Sequence, residues 1–194
     1  MHRRHALSLL LATAAAGCMD SKPAFKAVDI TGAEYGRDFP LPDTAGRVRS
    51  VKDFQGKAVV VFFGFTQCPD VCPTTLAELN QARQLLGPDG ARVQGIFVTV
   101  DPERDTPQVL QAYLANFGPD YVGLRGTPEQ LAAVAKDFKI YYKKVDGKTP
   151  GSYTMDHSAA SYVYDPQGRL RLYTRYGSGA QALADDLRLL LKQG

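Results

Sequence analysis

The residues that are best suited to carry out chemistry are two cysteines separated by three residues, Cys68 and Cys72, in the segment 68–72 (CPDVC). They follow a continuously apolar stretch, 57–65 (KAVVVFFGF), which has the composition of a central strand buried on both faces. Thiols at the start of a helix lie among free backbone N–H groups and near the positive end of the helix dipole, and both favour thiolate. The spacing puts the two sulfurs on one side of the first turn, where they can share a soft metal ion or form a disulfide. We therefore predict reactive or metal-ligating sulfur.

The rest of the chain predicts the elements that position these thiols. Helical and extended patterns alternate, which implies parallel crossover connections, and the final part ends in an antiparallel hairpin and a helix. The predicted fold class is α/β, thioredoxin-like, with a central mixed sheet flanked by helices, an N-terminal hairpin at 39–50 and a helix-strand insertion. We predict strands at 57–65, 93–100, 122–125, 140–145, 159–164 and 170–176, and helices at 73–86, 107–117, 128–137 and 179–192.

One histidine is available to join the cysteines. His157 is the only histidine outside the first five residues, and it lies just before a predicted strand. A lone loop histidine can also cap a strand or face solvent, but in a thioredoxin-like fold the loop before the hairpin packs against the cysteine-bearing turn. We therefore expect His157 to face Cys68 and Cys72. Thiolate selects Cu(I), imidazole accepts Cu(I) or Cu(II), and three ligands suffice for a trigonal cuprous ion, whereas structural zinc normally takes four protein ligands.

Other interpretations of the cysteine pair remain open. A structural disulfide or two inert cysteines would need no histidine, although so short a loop contributes little stability. The strongest alternative is a thiol-disulfide oxidoreductase with Cys68 as the attacking and Cys72 as the resolving thiol. Against it, the spacing exceeds that of thioredoxin by one residue, and segment 156–158 (DHS) stands where a cis-proline is usual. A peroxidase is disfavoured because Phe65 and Val61 occupy the positions at which peroxiredoxins have Thr or Ser and Pro.

The amino-terminal segment 1–17 is predicted to be an export signal. Its basic start, residues 2–5 (HRRH), precedes an apolar run that is shorter than the roughly 20 residues of a transmembrane helix. The run ends at 15–18 (AAGC), which resembles a lipobox with alanine where leucine is usual, so we expect lipidation of Cys18; ordinary signal cleavage is the alternative. Lipidation would leave two of the three cysteines as a pair. The predicted location is the periplasmic side of the bacterial cytoplasmic membrane, lipid-anchored.

Composition and charge bound the rest of the prediction. The chain of 194 residues is 44% hydrophobic, which suits one globular domain. Residues 18–37 are polar and lack periodicity, which predicts a flexible tether, and we place the copper-binding domain at 38–194. The formal net charge of +3 falls when the signal is removed, and no cluster of Lys and Arg remains, so we expect no nucleic-acid partner.

Several blocks of sequence, in order within one domain, resemble the Sco/SenC copper-binding proteins. They are 56–57 (GK), 63–66 (FGFT), 68–73 (CPDVCP), 100–107 (VDPERDTP) and 156–158 (DHS). An isolated CxxxC motif is weak evidence, but the combination is specific, and the resemblance covers roughly residues 38–191. It implies a copper chaperone that holds one copper ion, as Cu(I) or Cu(II), through Cys68, Cys72 and His157 and delivers it to the dinuclear copper centre of cytochrome c oxidase. Enzymatic turnover is not required.

The resemblance also implies partners and further site residues. Oxidase subunit II is the expected recipient, and other periplasmic copper chaperones or thiol reductants are further candidate partners. Many family members are anchored by a transmembrane helix, whereas here the predicted lipid anchor is the membrane contact. In the alternative function, a redox-active pair of Cys68 and Cys72 keeps the subunit II cysteines reduced. Asp101 and Asp156 are candidates to orient the site or contact a partner. For Asp105 an equal possibility is local structure, in which Asp105 or Thr106 caps the helix that starts at Pro107.

Overall fold

The structure is a computed structural model that describes residues 24–193. The predicted signal and Cys18 lie outside the described residues. The strands are β1 Val28–Asp29, β2 Leu41–Pro42, β3 Val48–Arg49, β4 Ala58–Gly64, β5 Val93–Thr99, β6 Val122–Leu124, β7 Tyr142–Asp146, β8 Tyr153–His157, β9 Ser161–Tyr164 and β10 Leu170–Thr174. The helices are α1 Val71–Leu85, α2 Pro107–Ala115, α3 Pro128–Asp137 and α4 Ala180–Leu191, with 3₁₀ turns at Val51–Phe54 and Gly87–Arg92.

The centre of the molecule is a six-stranded mixed sheet. Its strand order is β1-β10-β9-β4-β5-β6, in which β4 pairs in parallel with β5 and antiparallel with β9. All seven residues of β4 are buried, and so are all seven of β5. Burial on both faces explains why β4 is a continuous apolar run instead of an alternating one. This arrangement confirms the predicted thioredoxin-like fold with a central mixed sheet.

Successive side chains of β4 point to opposite faces of the sheet, and all of them are apolar. Both faces must therefore be covered, and helices cover them. Phe62 lines a small cavity together with Leu76 of α1 and Leu183 of α4, and these two helices pack against each other. Phe63 points the other way, where its ring contacts that of Phe138, which follows α3, edge to face with centroids 5.0 Å apart. The layers therefore form one continuous apolar core.

Local signals at the element ends agree with the predictions. Thr127 and Gln130 form the predicted capping box of α3. The turn between β9 and β10 is closed by a hydrogen bond in which the Gly168 N–H donates to the Asp165 carbonyl at 2.8 Å. The hairpin of β2 and β3 is also present, with Leu41 opposite Arg49.

The amino-terminal boundary differs from the prediction. Residues from 24 onward, predicted as part of a tether, pack on the domain: β1 pairs with β10, and the backbone N–H groups of Lys26 and Ala27 donate to the buried Asp186 carboxylate at 2.7 and 2.8 Å. A strand of two residues is too short to show an alternating pattern, so the sequence alone did not reveal it. The domain therefore begins earlier than the predicted residue 38.

A second hairpin, β7 with β8, lies outside the main sheet and was predicted only in part. The two strands pair with each other as a separate two-stranded sheet. The prediction placed His157 in a loop, but it is the last residue of β8.

Within residues 24–193, no helix has the length and apolar composition that crossing a membrane requires.

Candidate metal centre

The two cysteines lie where the buried strand β4 gives way to α1. Cys68 is in the intervening loop and half-buried, whereas Cys72 is in the first turn of the helix and fully buried. The backbone N–H of Cys72 points at the Cys68 sulfur, with N and Sγ 3.4 Å apart. One of the unpaired N–H groups at the helix start is therefore satisfied by the first cysteine.

Gly64, at the end of β4, makes room for the second sulfur. A Cβ atom at this position would lie 2.7 Å from the Cys72 Sγ and 2.8 Å from the Phe62 ring, both closer than van der Waals contact allows. The helix start can approach the strand this closely only because residue 64 has no side chain. Gly64 lies in a block noted for its resemblance, but the sequence alone gave it no role.

Burial changes the expected protonation of Cys72. Removal from water raises the pKa of its thiol well above the ordinary value, and the neighbouring Cys68 and Asp105 raise it further. For Cys72, burial therefore opposes the thiolate that the helix start was predicted to favour.

His157 approaches the cysteines from the hairpin. Its Nε2 lies 3.7 Å from the Cys72 Sγ, and its Nδ1 lies 2.9 Å from the carbonyl oxygen of Ser158. Because a carbonyl oxygen can only accept, Nδ1 carries the proton and Nε2 presents its lone pair to the sulfur. The imidazole also meets the rings of Phe62 and Phe65 edge to face, with centroids 6.0 and 5.8 Å apart. Burial lowers the pKa of His157 below its ordinary value, so the ring is neutral at neutral pH.

The structure thus brings Cys68, Cys72 and His157 together. Their ligand atoms, two sulfurs and one nitrogen, all lie within 4.8 Å of one another. In the part of the chain that the structure describes, this is the one group of three or more Cys, His, Asp or Glu residues that could hold a metal ion. Two soft sulfurs and an imidazole suit Cu(I), and the set falls one protein ligand short of a structural zinc site.

Asp105 anchors the loop that leads to the cysteines. Its fully buried carboxylate accepts hydrogen bonds from the Thr66 backbone N–H at 3.1 Å, the Thr66 hydroxyl at 2.6 Å and the Thr99 hydroxyl at 2.5 Å. The cap of α2 is Thr106, whose side chain accepts from the Val109 N–H. The cap of α2 is therefore Thr106, and Asp105 holds the loop that leads to Cys68 through Thr66.

Asp101 and Asp156 occupy different environments. Asp101 is buried and accepts hydrogen bonds from the Tyr153 hydroxyl at 2.9 Å and from Arg104, so it links the turn after β5 to the hairpin. Asp156 is exposed on β8. The pKa of the adjacent His157 is lowered by burial, and the hydrogen bond to Ser158 and, to a smaller extent, the charge of Asp156 act in the opposite direction. Their hydrogen bonds and exposure place neither among the three ligand residues.

Comparison with known proteins agrees with this geometry. The sequence model of a family described as SCO1/SenC matches residues 28–192. A relative from Bos taurus, "Protein SCO2 homolog, mitochondrial", is 41% identical over 153 residues, which are 78% of this chain and 58% of the relative; the chain thus spans less than two thirds of that protein's length.

Solved structures are similar over most of the domain. The structure of Bradyrhizobium japonicum ScoI with copper bound has a TM-score of 0.70 and 40% sequence identity, and the match covers 79% of this chain and 97% of the other. The solution structure of apo Sco1 from Thermus thermophilus has a TM-score of 0.76 and 39% identity, covering 86% and 97% respectively.

Proposed function

Because the chain belongs to the SCO1/SenC family, we propose that it binds copper through Cys68, Cys72 and His157 and takes part in the assembly of cytochrome c oxidase. The observation that carries this proposal is the convergence of two sulfurs and one imidazole nitrogen within 4.8 Å. The relative from Bradyrhizobium japonicum, 40% identical, has been solved with copper bound. The donor chemistry of this chain independently favours the same metal.

The protonation of the ligands defines what the site must do on binding. Burial lowers the pKa of His157, which favours the neutral ring that ligates through Nε2, whereas burial raises the pKa of Cys72, whose sulfur must lose its proton to ligate. Two thiolates and one neutral imidazole together with Cu(I) would carry a net charge of about −1, and the same ligands together with Cu(II) would be neutral overall. One ligand set can therefore hold both oxidation states, with a further oxygen or nitrogen donor for Cu(II).

We further propose that the recipient is the dinuclear copper centre of oxidase subunit II. Cys68 is the accessible sulfur of the pair, so it is the ligand that an incoming thiol of a partner reaches first. Asp156, exposed beside His157, is a partner contact at the rim of the site, and the buried Asp101 supports the hairpin from beneath. Other periplasmic copper chaperones would load the site, and thiol reductants would keep its cysteines reduced.

The proposed location follows from the sequence before residue 24. A basic start, a short apolar run and Cys18 indicate export and lipidation, which would hold the domain of residues 24–194 on the periplasmic side of the membrane. Mass spectrometry of the amino-terminal peptide tests this. Lipid on Cys18 supports it, and an unmodified or longer amino terminus contradicts it.

A second function, thiol-disulfide exchange on the subunit II cysteines, is favoured by one observation. The two cysteines are free and differ in exposure, Cys68 being half-buried and Cys72 fully buried, as expected for an attacking thiol and a resolving thiol. Such exchange needs no histidine. Replacing His157 with Ala should therefore weaken copper binding and spare disulfide exchange, and equal loss of both would show that the two activities are not separable.

The deciding experiment is an anaerobic Cu(I) titration of the reduced full-length chain in detergent against a competing chelator. One tightly bound ion per chain is expected, and Cys68→Ser, Cys72→Ser and His157→Ala should each weaken it. Weak binding would contradict copper binding and leave thiol-disulfide exchange as the better function. Binding that is equally tight without His157 would contradict the three-ligand site.

A further inference from the structure

The β7–β8 hairpin depends on few contacts for its position. Among the strands that the structure describes, β7 and β8 pair only with each other, and an isolated two-stranded hairpin is at best marginally stable in water. An open cleft of about 350 Å³ lies between the hairpin, at Tyr142 and Met155, and the turn that contains Pro102. The partly buried Tyr142 and Met155 give the hairpin a small apolar contact with the core. Polar side chains supply further ties between the hairpin, which ends at His157, and the domain.

Arg104 makes these ties to three segments at once. Its Nε donates to the Asp101 carboxylate, and its Nη1 donates to the Gln67 side-chain oxygen at 3.0 Å and to the Tyr153 carbonyl at 2.8 Å. The guanidinium also lies over the Tyr153 ring, with Cζ 3.6 Å from the centroid, and 5.8 Å from the centroid of Phe65. One planar, permanently charged group thus holds both the cysteine loop and the hairpin.

These partners are close to the ligands in sequence and in space. Gln67 immediately precedes Cys68, and Tyr153 lies on the same face of β8 as His157, because side chains alternate along a strand. The ring of Phe65, which Arg104 overlies, is in turn in edge-to-face contact with His157. A shift of the guanidinium would therefore move the histidine relative to the cysteines.

Burial distinguishes the Arg104–Asp101 pair, in the turn after β5, from the ion pair that joins Lys144 of the hairpin to Glu103. The side chains of Arg104 and Asp101 are 20% and 3% exposed, so water competes little with their interaction. Lys144 and Glu103 are 47% and 69% exposed, and such surface pairs contribute little. The buried Arg104 should therefore contribute more to holding the hairpin than the exposed Lys144–Glu103 pair does.

We propose that Arg104 is a positioning residue of the metal centre, which keeps His157 within ligand distance of Cys72 by holding Gln67 and Tyr153 on one guanidinium. The inference rests on the proposed copper-binding function. The hydrogen bonds of Arg104 within residues 24–193 go to Asp101, Gln67 and Tyr153, so it acts on the ligands through the hairpin and the loop.

A double-mutant cycle tests this role in the full-length chain. Arg104→Gln should weaken Cu(I) binding at least about tenfold, the loss expected when charge-assisted hydrogen bonds are removed. In a His157→Ala background the same change should have less than about a twofold effect, because the ligand that Arg104 positions is already absent. An equal loss in both backgrounds, or no loss in either, would overturn the proposal.

The controls separate this outcome from the others. Arg83 is a matched arginine in α1: its side chain is 16% exposed and donates to the Asp120 carboxylate at 2.8 Å and to the Gly90 carbonyl at 3.3 Å. Arg83→Gln should leave Cu(I) affinity unchanged, and an equal loss there would overturn a specific role for Arg104. If the wild-type chain binds no Cu(I) tightly, the proposed function fails, which is a separate result.

A measurement without metal completes the test. In the metal-free protein, Arg104→Gln should speed hydrogen exchange of the β7–β8 amides about tenfold and leave the β4–β5 amides unchanged. Arg83→Gln should leave the hairpin amides as they are. Unchanged hairpin exchange, or equal acceleration throughout the sheet, would contradict positioning by Arg104.

Discussion

The cysteines and the histidine of the metal centre come from two regions that are built differently. The cysteine side rests on β4, in which every residue is buried, and on the first turn of α1, where Cys72 is fully enclosed. The histidine side rests on a hairpin whose residues are exposed or half-buried, with Lys143 and Thr154 open to solvent. The first region is fixed by apolar packing and buried hydrogen bonds, and the second by a few polar side chains and the partly buried Tyr142 and Met155.

This difference bears on how a bound ion can be gained and released. A buried strand cannot move without opening the core, whereas a hairpin with little apolar contact can open locally at low cost. Under the proposed function, the cysteines then form the fixed part of the site and His157 the part that can withdraw. Substitutions in the two regions should therefore differ in kind, with global stability lost in one and local order in the other.

The largest effect is expected at Asp105, on the cysteine side. Asp105→Ala leaves the Thr66 N–H and the Thr66 and Thr99 hydroxyls without their acceptor, so the free energy of unfolding should fall by about 2–4 kcal/mol. Urea unfolding measures this. The half-buried Asp185 serves as control: its hydrogen bonds go to Gln181 and Arg188 on its own helix, so Asp185→Ala should cost no more than about 1 kcal/mol. A loss as small for Asp105 would show that the cysteine loop is not held from the core.

Gly64 sharpens the same side of the comparison. In Gly64→Ala the new methyl group would meet the Cys72 sulfur, and such overpacking costs about 1–3 kcal/mol and displaces the ligand. Both the unfolding free energy and the Cu(I) affinity should fall. The matched variant is Gly123→Ala on β6, in which the methyl group would lie 2.7 Å from Leu110 of α2. Its unfolding free energy should fall, and its Cu(I) affinity should not. Equal loss of affinity in both variants would refute a local effect on the sulfur.

The two regions also differ in how far the sequence predicts them. The continuous apolar run 57–65 followed by a cysteine pair predicts a buried strand, a helix start and two adjacent sulfurs, and the structure has this strand and this helix. The hairpin is less predictable, because its strand of residues 153–157 is short and half polar. Its alternation, with residues 154 and 156 exposed, was a signal in the sequence, but so short a period-two pattern does not distinguish a strand from a loop.

The supporting residues were harder to predict than the ligands. Arg104 and Asp105 lie in a recognisable block, yet their partners Tyr153 and Thr66 are 49 and 39 residues away in the chain. Such contacts depend on the folded arrangement and leave no local pattern. Protonation was missed for a similar reason, since the burial that raises the pKa of Cys72 depends on how closely α1 approaches Gly64.

The protonation of Cys72 gives a prediction of intermediate size. Because burial raises the pKa of the Cys72 thiol, which must lose its proton to bind copper, apparent Cu(I) affinity should rise with pH. Each proton released contributes about a tenfold change per pH unit. In Cys72→Ser the slope of log affinity against pH should be lower by about one proton than in wild type. An unchanged slope would show that Cys72 is already ionised or does not ligate.

The smallest effect is expected at Glu103, on the histidine side. Lys144 lowers the pKa of Glu103 through a hydrogen bond at 2.8 Å, but both side chains are exposed and the pair is screened by salt. Glu103→Gln should therefore leave the thermal midpoint and the hairpin's hydrogen exchange unchanged within error. Asp101→Asn, which weakens the buried contact to Arg104, should in contrast speed exchange in β7 and β8. If Glu103→Gln loosened the hairpin as much, and salt at about 1 M removed the difference, surface charge and not the buried arginine would hold the histidine side.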